Sequence, residues 1–245
     1  MRVSVPSWVI PGTYAENLRF LAEKREITGV ELLFFIYDDE TKQMLRDEWD
    51  VIRSYTGRFT YTVHLPDRIL PEHAELVERF LPYARNFVVH PYPAEEADAE
   101  RRLLEAWQAS YGNADRRQED LGALSPFIIE NTYPGMQEAL LSRLPGDTGL
   151  VMDTGHLLLI DHDPAGFFNL HKTRVKEIHL HTVDFKAAQK DNRLTDHRSL
   201  KPDDPWFIEF VSCLREFTGV VNLEVFSWEE AAASLAVLRG AGLLE

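Results

Sequence analysis

Residues 149–181 read GLVMDTGHLLLIDHDPAGFFNLHKTRVKEIHLH. Two short, largely apolar runs, Gly149–Asp153 and Val175–His181, stand at the ends, with a helix-like segment between them. Each run is too short for a helix and apolar toward both faces, the pattern of a parallel strand covered on both sides. The same alternation extends outward. Val3–Val5, Gly29–Phe35, Phe59–Leu65, Asn86–His90 and Phe127–Glu130 precede the stretch, and Val220–Val225 follows it. Between the runs lie helical spacings such as Leu18, Leu21 and Ala22; Leu76, Val77, Phe80 and Leu81; and Ala231, Leu235 and Leu238. Eight strands separated by helices in 245 residues predict an α/β fold, a closed (β/α)8 TIM barrel, for which ~250 residues is typical. No Gly-x-Gly-x-x-Gly turn follows the first strand, which argues against an open doubly wound sheet. No Gly/Ser-rich linker interrupts the chain, so residues 1–245 read as a single domain.

Lys and Arg total 26 against 40 Asp and Glu, a formal net charge of −14. That balance argues against affinity based on neutralising nucleic-acid phosphates, so nucleic acid is not an expected partner. One cysteine, Cys213, excludes an intramolecular disulfide and a multi-thiolate metal site. The start MRVSVPSWVIPG lacks the basic, apolar pattern of a signal peptide, and no run approaches 18 apolar residues. A soluble cytoplasmic protein without a membrane-spanning segment is the expectation. Two connections are long. Pro91–Pro126 carries a helix around Ala99–Tyr111 and a polar segment, Gly112–Asp120; Thr182–Asp204 is polar and charged. Loops that follow barrel strands lie on the catalytic face.

The functional information is in the strand ends. Successive runs finish Tyr-Thr-Val-His64, Phe-Val-Val-His90, Phe-Ile-Ile-Glu130, Val-Met-Asp153-Thr-Gly-His156, Ile-His179-Leu-His181 and Val-Asn-Leu-Glu224. In a barrel these ends converge on one small surface. Carboxylates and imidazoles gathered that closely need positive charge among them, and divalent cations supply it most simply. Nitrogen and oxygen donors without thiolate suit zinc, manganese or iron. His179 and His181, two apart, share a face if the strand runs that far; one of the pair is expected to orient a ligand or bind substrate. The loop Leu-Thr-Asp196-His197-Arg198 offers a further Asp/His pair, with Arg198 available for an anionic substrate.

Each residue alone has a plainer reading. A strand-end histidine is commonly a hydrogen-bonded structural residue, a strand-end Glu can be half of an ion pair, and an Asp after a strand commonly caps the next helix. His73, His162 and His171 fall in helical or loop contexts and are expected on the surface. Six coincidences on successive strands favour the metal site.

Four motifs, Ile129-Glu130-Asn131-Thr132, Met152-Asp153-Thr154-Gly155-His156, Ile178-His179-Leu180 and His197-Arg198-Ser199-Leu200, resemble the xylose isomerase-like barrel superfamily. Within it they resemble the endonuclease IV branch (AP endonuclease family 2). The resemblance implies two or three divalent ions, zinc first and manganese or iron as alternatives. It also implies His64, His90, Glu130, Asp153, His156, His179, His197 and Glu224 as ligands. The branch has an Asp-x-His loop pair, whereas Asp196 and His197 are adjacent here, so either Asp196 or Thr195 takes the aspartate's place. Sugar isomerases and epimerases of the superfamily hold one metal without requiring both His64 and His90, so having both favours the multi-metal, phosphoester-cleaving branch. Ser4–Thr13, Glu16-Asn17, Glu31-Leu-Leu-Phe-Phe and His64-Leu-Pro are similar to cobamide-remodelling phosphodiesterases, which act on the nucleotide loop of corrinoids.

The expected activity is therefore metal-dependent hydrolysis of a small anionic phosphodiester, with Glu130 as the catalytic residue and His181 and Arg198 near the substrate. Trp8, Tyr133, Trp206 and Phe226 are candidates to stack on a flat ligand. The alternatives are a mononuclear sugar isomerase or epimerase using Glu130 and Glu224, and a non-catalytic metal-binding barrel.

Overall fold

The computed structural model describes residues 1–111, 126–132, 135–185 and 196–244. Eight parallel strands close in sequence order: β1 (Arg2–Pro6), β2 (Gly29–Leu33), β3 (Thr60–His64), β4 (Ala84–Val89), β5 (Phe127–Glu130), β6 (Gly149–Asp153), β7 (Val175–His179) and β8 (Val220–Asn222). β8 returns to pair with β1 through Ser4 and Asn222. The expected closed barrel is what forms. The described helices are α1 (Tyr14–Ala22), α2 (Asp39–Ser54), α3 (Ala74–Phe80), α4 (Ala97–Tyr111), α5 (Met136–Leu141), α6 (Thr154–Leu159), α7 (Pro164–His171), α8 (Pro205–Glu216) and α9 (Trp228–Gly240).

Local chemistry sets the helix starts. Thr13 and Glu16 form a reciprocal capping box on α1, Asp38 caps α2, Asp163 caps α7, and Ser227 caps α9. Outward-facing strand residues such as Val30, Leu32, Val63, Phe87, Ile129, Met152 and Ile178 join Leu18, Leu21, Leu76, Phe80, Leu235 and Leu238 from the helices in one core. Val88, Ile128 and Val151 form a separate small cluster, because alternation turns them into the barrel interior.

The strands stop earlier at the C-terminal rim of the barrel than the apolar runs suggest. β7 ends at His179 and β8 at Asn222, yet Leu180 N–H still reaches the Asn222 carbonyl at 2.7 Å and Leu223 N–H the Ser4 carbonyl at 2.8 Å. His181 and Glu224 thus keep a strand-like direction beyond the ladder. Thr182 and Arg198 exchange two backbone hydrogen bonds as an antiparallel bridge, which pins residues 196–198 over the end of β7. His73 departs from expectation. It is buried, its Nδ1 accepts the Leu70 N–H at 3.1 Å, and its ring packs edge-on against Tyr37. Gly112–Asp120, Tyr133 and Thr195 lie outside the described residues. No helix among the described residues is long and apolar enough to cross a membrane.

Candidate metal centre

The strand ends meet at Glu130. This carboxylate, 1% exposed at the tip of β5, has Oε2 3.4 Å from His64 Nε2, 3.2 Å from His90 Nε2 and 3.7 Å from His179 Nδ1. Its other oxygen is 3.3 Å from His156 Nδ1. Register explains the meeting: Glu130 pairs with Val151, two residues before Asp153, and Asp153 pairs with His179. Asp153 is the helix cap that its place after a strand suggested. Oδ1 caps α6 by accepting the His156 N–H at 2.6 Å, while Oδ2 faces His181 Nε2 at 3.0 Å. Glu224 completes the ring, 3.1 Å from His179 Nδ1 and 3.7 Å from His181 Nε2.

A histidine binds a cation through a lone pair, so the partner of its other nitrogen matters. His64 Nδ1 donates to the Leu65 carbonyl at 2.9 Å, His156 Nδ1 to the Asn131 carbonyl at 2.9 Å, and His197 Nδ1 to the Glu224 carbonyl at 3.0 Å. Those contacts leave Nε2 unprotonated in each neutral ring. His90 Nδ1 faces Asp67 at 3.3 Å, to the same effect. His181 differs: its Nδ1 accepts the His197 backbone N–H at 2.9 Å, and Nε2 points at Asp153. Its ring stacks on that of His197, centroids 4.4 Å apart. His197 adopts φ +53°, uncommon for a residue with a side chain, and this turn lays its ring back on His181. Gly155 is required beneath them, because a Cβ there would sit 2.0 Å from His181 Cε1.

Electrostatics ties the cluster together. Burial alone pushes the Glu130 carboxyl up, but His90, His179 and His156 overcome it and hold Glu130 well below the usual carboxylate range. Burial likewise opposes ionisation of Glu224, and His179 and His197 prevail. Burial disfavours charge on the imidazoles too, yet Glu130 and Asp67 raise His90 to about 10, and Asp153 and Glu130 raise His156 to about 11. Against the same burial, Glu224 and Glu31 lift His179 well above its ordinary value, and Asp153 lifts His181. The carboxylates demand positive charge from whatever stands among them.

The donor set fits divalent cations. Buried atoms without a hydrogen-bond partner among the described residues include His64 Nε2, both nitrogens of His179, Glu224 Oε2 and Asp196 Oδ1. Such unsatisfied atoms are costly unless something binds them. Four groups bring three donors within 4.8 Å of one another: His64, His90 and Glu130; Glu130, Asp153 and His179; Glu31, His179 and Glu224; and His181, His197 and Glu224. Asp196 stands at the edge, 3.9 Å from His197 Nε2.

Above the centre opens a cleft of about 700 Å³, lined by His90, Glu130, His156, Asp196, His197 and Glu224 on its floor. Phe35, Ile36 and Phe226 form apolar walls, and Arg198, Ser227 and Glu230 stand at the rim. Arg198 reaches the cleft as expected, its guanidinium 3.4 Å from Glu230. His181 is fully buried and does not line the cleft. The substrate contact expected of it is thus not the one its geometry offers, because the stacked His197 ring covers it. Of the aromatics expected to stack on a ligand, Phe226 lines the cleft, whereas Trp206 packs on Phe207 and Phe210. Trp8 is absent from the lining. Sequence reasoning did not single out Asp67, or Glu31 as a metal-competent residue. Glu31 sits in a run read as plain strand, and Asp67 in an exposed turn three residues past His64.

No family model matches the chain. A 55-residue stretch is 40% identical to the inosose dehydratase of Lacticaseibacillus casei, covering 22% of this chain and 18% of that protein's length. Solved structures resemble the whole barrel at low identity. A D-tagatose 3-epimerase-like protein aligns with TM-score 0.69 and 16% identity over 98% of this chain and 97% of that one. The zinc-bound IolI protein gives 0.67 and 15% over 99% and 96%. Endonuclease IV from Thermus thermophilus gives 0.59 and 16% over 98% of each chain. The architecture is accordingly the closed (β/α)8 barrel that these solved structures share.

Proposed function

We propose that this chain is a metal-dependent phosphoric-ester hydrolase that cleaves a small phosphodiester. The observation that carries the reading is the surplus of donors. His64 and His90 converge on one oxygen of Glu130, His179 stands among Glu130, Asp153 and Glu224, and His156 and His197 add two more imidazoles on the same cleft. One four-coordinate ion needs no such number. His64, His90 and Glu130 would hold one ion; Glu130, Asp153, His179 and Glu224 a second; and His156, Asp196 and His197 a third if three are bound. Zinc suits this donor set, with manganese or iron as alternatives. Such ions, when bound, supply Lewis acidity and lower the pKa of water.

The chain's own residues do the rest. Glu130 orients the attacking water and accepts its proton, a role its position on the cleft floor allows. His181 holds Asp153 by a hydrogen bond. Arg198 meets a phosphate oxygen at the rim. Phe35, Ile36 and Phe226 suit a flat apolar portion of the substrate, and the nucleotide loop of a corrinoid is the first such phosphodiester to test. The overall charge of −14 disfavours a nucleic-acid duplex.

The second reading, a one-metal sugar isomerase or epimerase, is favoured by a different observation. Glu130 and Glu224 flank the same nitrogen, His179 Nδ1, at 3.7 and 3.1 Å, so two carboxylates stand ready to move a proton. The resemblance to an epimerase-like protein points the same way.

Metal content per chain, measured by plasma mass spectrometry, separates the two. Two or three equivalents are expected; a single equivalent that persists after supplementation overturns the hydrolase reading. In the same preparation Glu130→Gln is expected to lower phosphodiester hydrolysis by about 10²- to 10⁴-fold while the variant remains folded. Full activity in that variant removes Glu130 from the mechanism.

A further inference from the structure

β2 supplies no ligand in the set expected from sequence, yet it brings a carboxylate to the centre from below. Glu31 is fully buried inside the barrel. Its Oε2 accepts a hydrogen bond from the Asn222 amide of β8, and its Oε1 lies 3.2 Å from Nε2 of His179. Asn222 and His179 are register partners across β7 and β8, so the three residues form a closed triangle. Neither Oε1 nor His179 Nε2 has a hydrogen-bond partner among the described residues, so the 3.2 Å approach of the two is an electrostatic contact between otherwise unsatisfied atoms. On the opposite edge of the same imidazole, Nδ1 stands 3.1 Å from Glu224, 3.7 Å from Glu130 and 3.9 Å from Asp153.

An imidazole with carboxylates on both edges has one tautomer that serves a cation. With the hydrogen on Nε2, directed at Glu31, the Nδ1 lone pair faces the three carboxylates that would share an ion. The reverse tautomer sets a lone pair against Glu31 and a hydrogen where the ion belongs. We infer that Glu31 is a positioning residue of the metal centre, fixing the ring angle and tautomer of His179 from beneath. Barrel interiors are ordinarily filled with branched aliphatic side chains. A buried carboxylate aimed at a ligand's far nitrogen is the arrangement that orients metal-binding histidines elsewhere. The inference rests on the metal-centre reading and adds a residue that the ligand pattern does not contain.

The test is a zinc titration of the full chain against a chromophoric chelator, comparing wild type, Glu31→Gln and Glu31→Leu, with the melting temperature of each metal-free protein recorded. Gln keeps an acceptor for Nε2–H without the charge; Leu removes both. Zinc affinity is expected to fall about 10-fold in Glu31→Gln and about 100-fold in Glu31→Leu. The order of the two matters, because a purely structural role moves the melting temperature without grading affinity by acceptor strength. Wild-type affinity in the folded Leu variant overturns the inference. If that variant does not fold, unchanged affinity in Glu31→Gln overturns it instead. Failure of the wild type itself to bind zinc, manganese or iron is a different result and removes the metal-centre reading.

Discussion

Two parts of the barrel interior are built differently. Val88, Ile128 and Val151, on β4 to β6, make an apolar patch cut off from the main core. From β7 round to β4 the inward positions are Glu177, Asn222, Ser4, Glu31, Thr62 and Asn86, all buried. Glu177 Oε2 accepts hydrogen bonds from Thr62 at 2.9 Å and Asn86 at 2.8 Å. Burial and the nearby Glu31 push its carboxyl up to about 8. The comparison teaches where each buried carboxylate obtains its compensation. Glu130 and Asp153, each two residues above the apolar patch, depend on the imidazoles of the rim. Glu31 and Glu177 depend on amides, a hydroxyl and one imidazole edge inside the barrel.

The sharpest way to break this contrast is to place a carboxylate where nothing can compensate it. Val151→Asp puts a charge against Val88 and Ile128 and beside Glu177, its register partner on β7, with no cationic side chain among these neighbours. The expected loss is about 3–5 kcal/mol, the cost of an unpaired buried charge, read from the urea midpoint at constant m-value. A loss below ~1 kcal/mol would show that the patch is wetter than its side chains imply.

The same contrast explains what can be read from the sequence. The barrel is legible because parallel strands covered on both faces leave short apolar runs, and all eight stand out. Their rim ends are not legible to the residue, since Leu180, His181 and Leu223 to Val225 stay apolar or strand-like after the ladder stops. The residues of the centre are legible because they stand at strand ends, where topology alone brings them together. Glu31 is not, because a carboxylate within Gly29-Val-Glu31-Leu-Leu looks like an outward residue of an ordinary strand until the barrel closes around it. His73 reads wrongly as surface for a related reason: its burial comes from Tyr37 and the Leu70 backbone, contacts that no local pattern announces.

A buried carboxylate outside the barrel gives a second, milder test. Glu100 of α4 is fully buried, accepts the Tyr92 N–H at 2.8 Å, and leaves its other oxygen without a hydrogen-bond partner among the described residues. Burial raises it from 4.5 to about 7, against the opposing pull of that N–H, His90 and Arg68. Its folded value lies above the unfolded one, so between these limits the folded chain keeps a proton that the unfolded chain has released. Stability from this group is therefore full below about pH 4.5 and declines as pH rises through 7. The decline is about 3 kcal/mol. Comparing urea midpoints at pH 5 and pH 8, the difference between wild type and Glu100→Gln should change by that amount, with the wild type losing more at the higher pH. Parallel profiles for the two proteins would assign the slope to other groups.

The smallest effect probes how tightly the apolar patch is packed. Gly149 pairs with Ile128 across β5 and β6, and a Cβ at Gly149 would stand 2.7 Å from Ile128 Cγ2 and 3.1 Å from Lys176 Cγ. The lysine stem can swing away, but the isoleucine methyl is held by Val88 and Val151. Gly149→Ala should therefore cost about 1–2 kcal/mol through overpacking. Ile128→Leu removes the offending Cγ2 at nearly constant volume, so the double variant should recover about 1 kcal/mol relative to the sum of the single changes. Additive losses in that cycle would mean that the strain lies with Lys176 and the outer face, and that the apolar patch can yield without cost where the polar layer cannot.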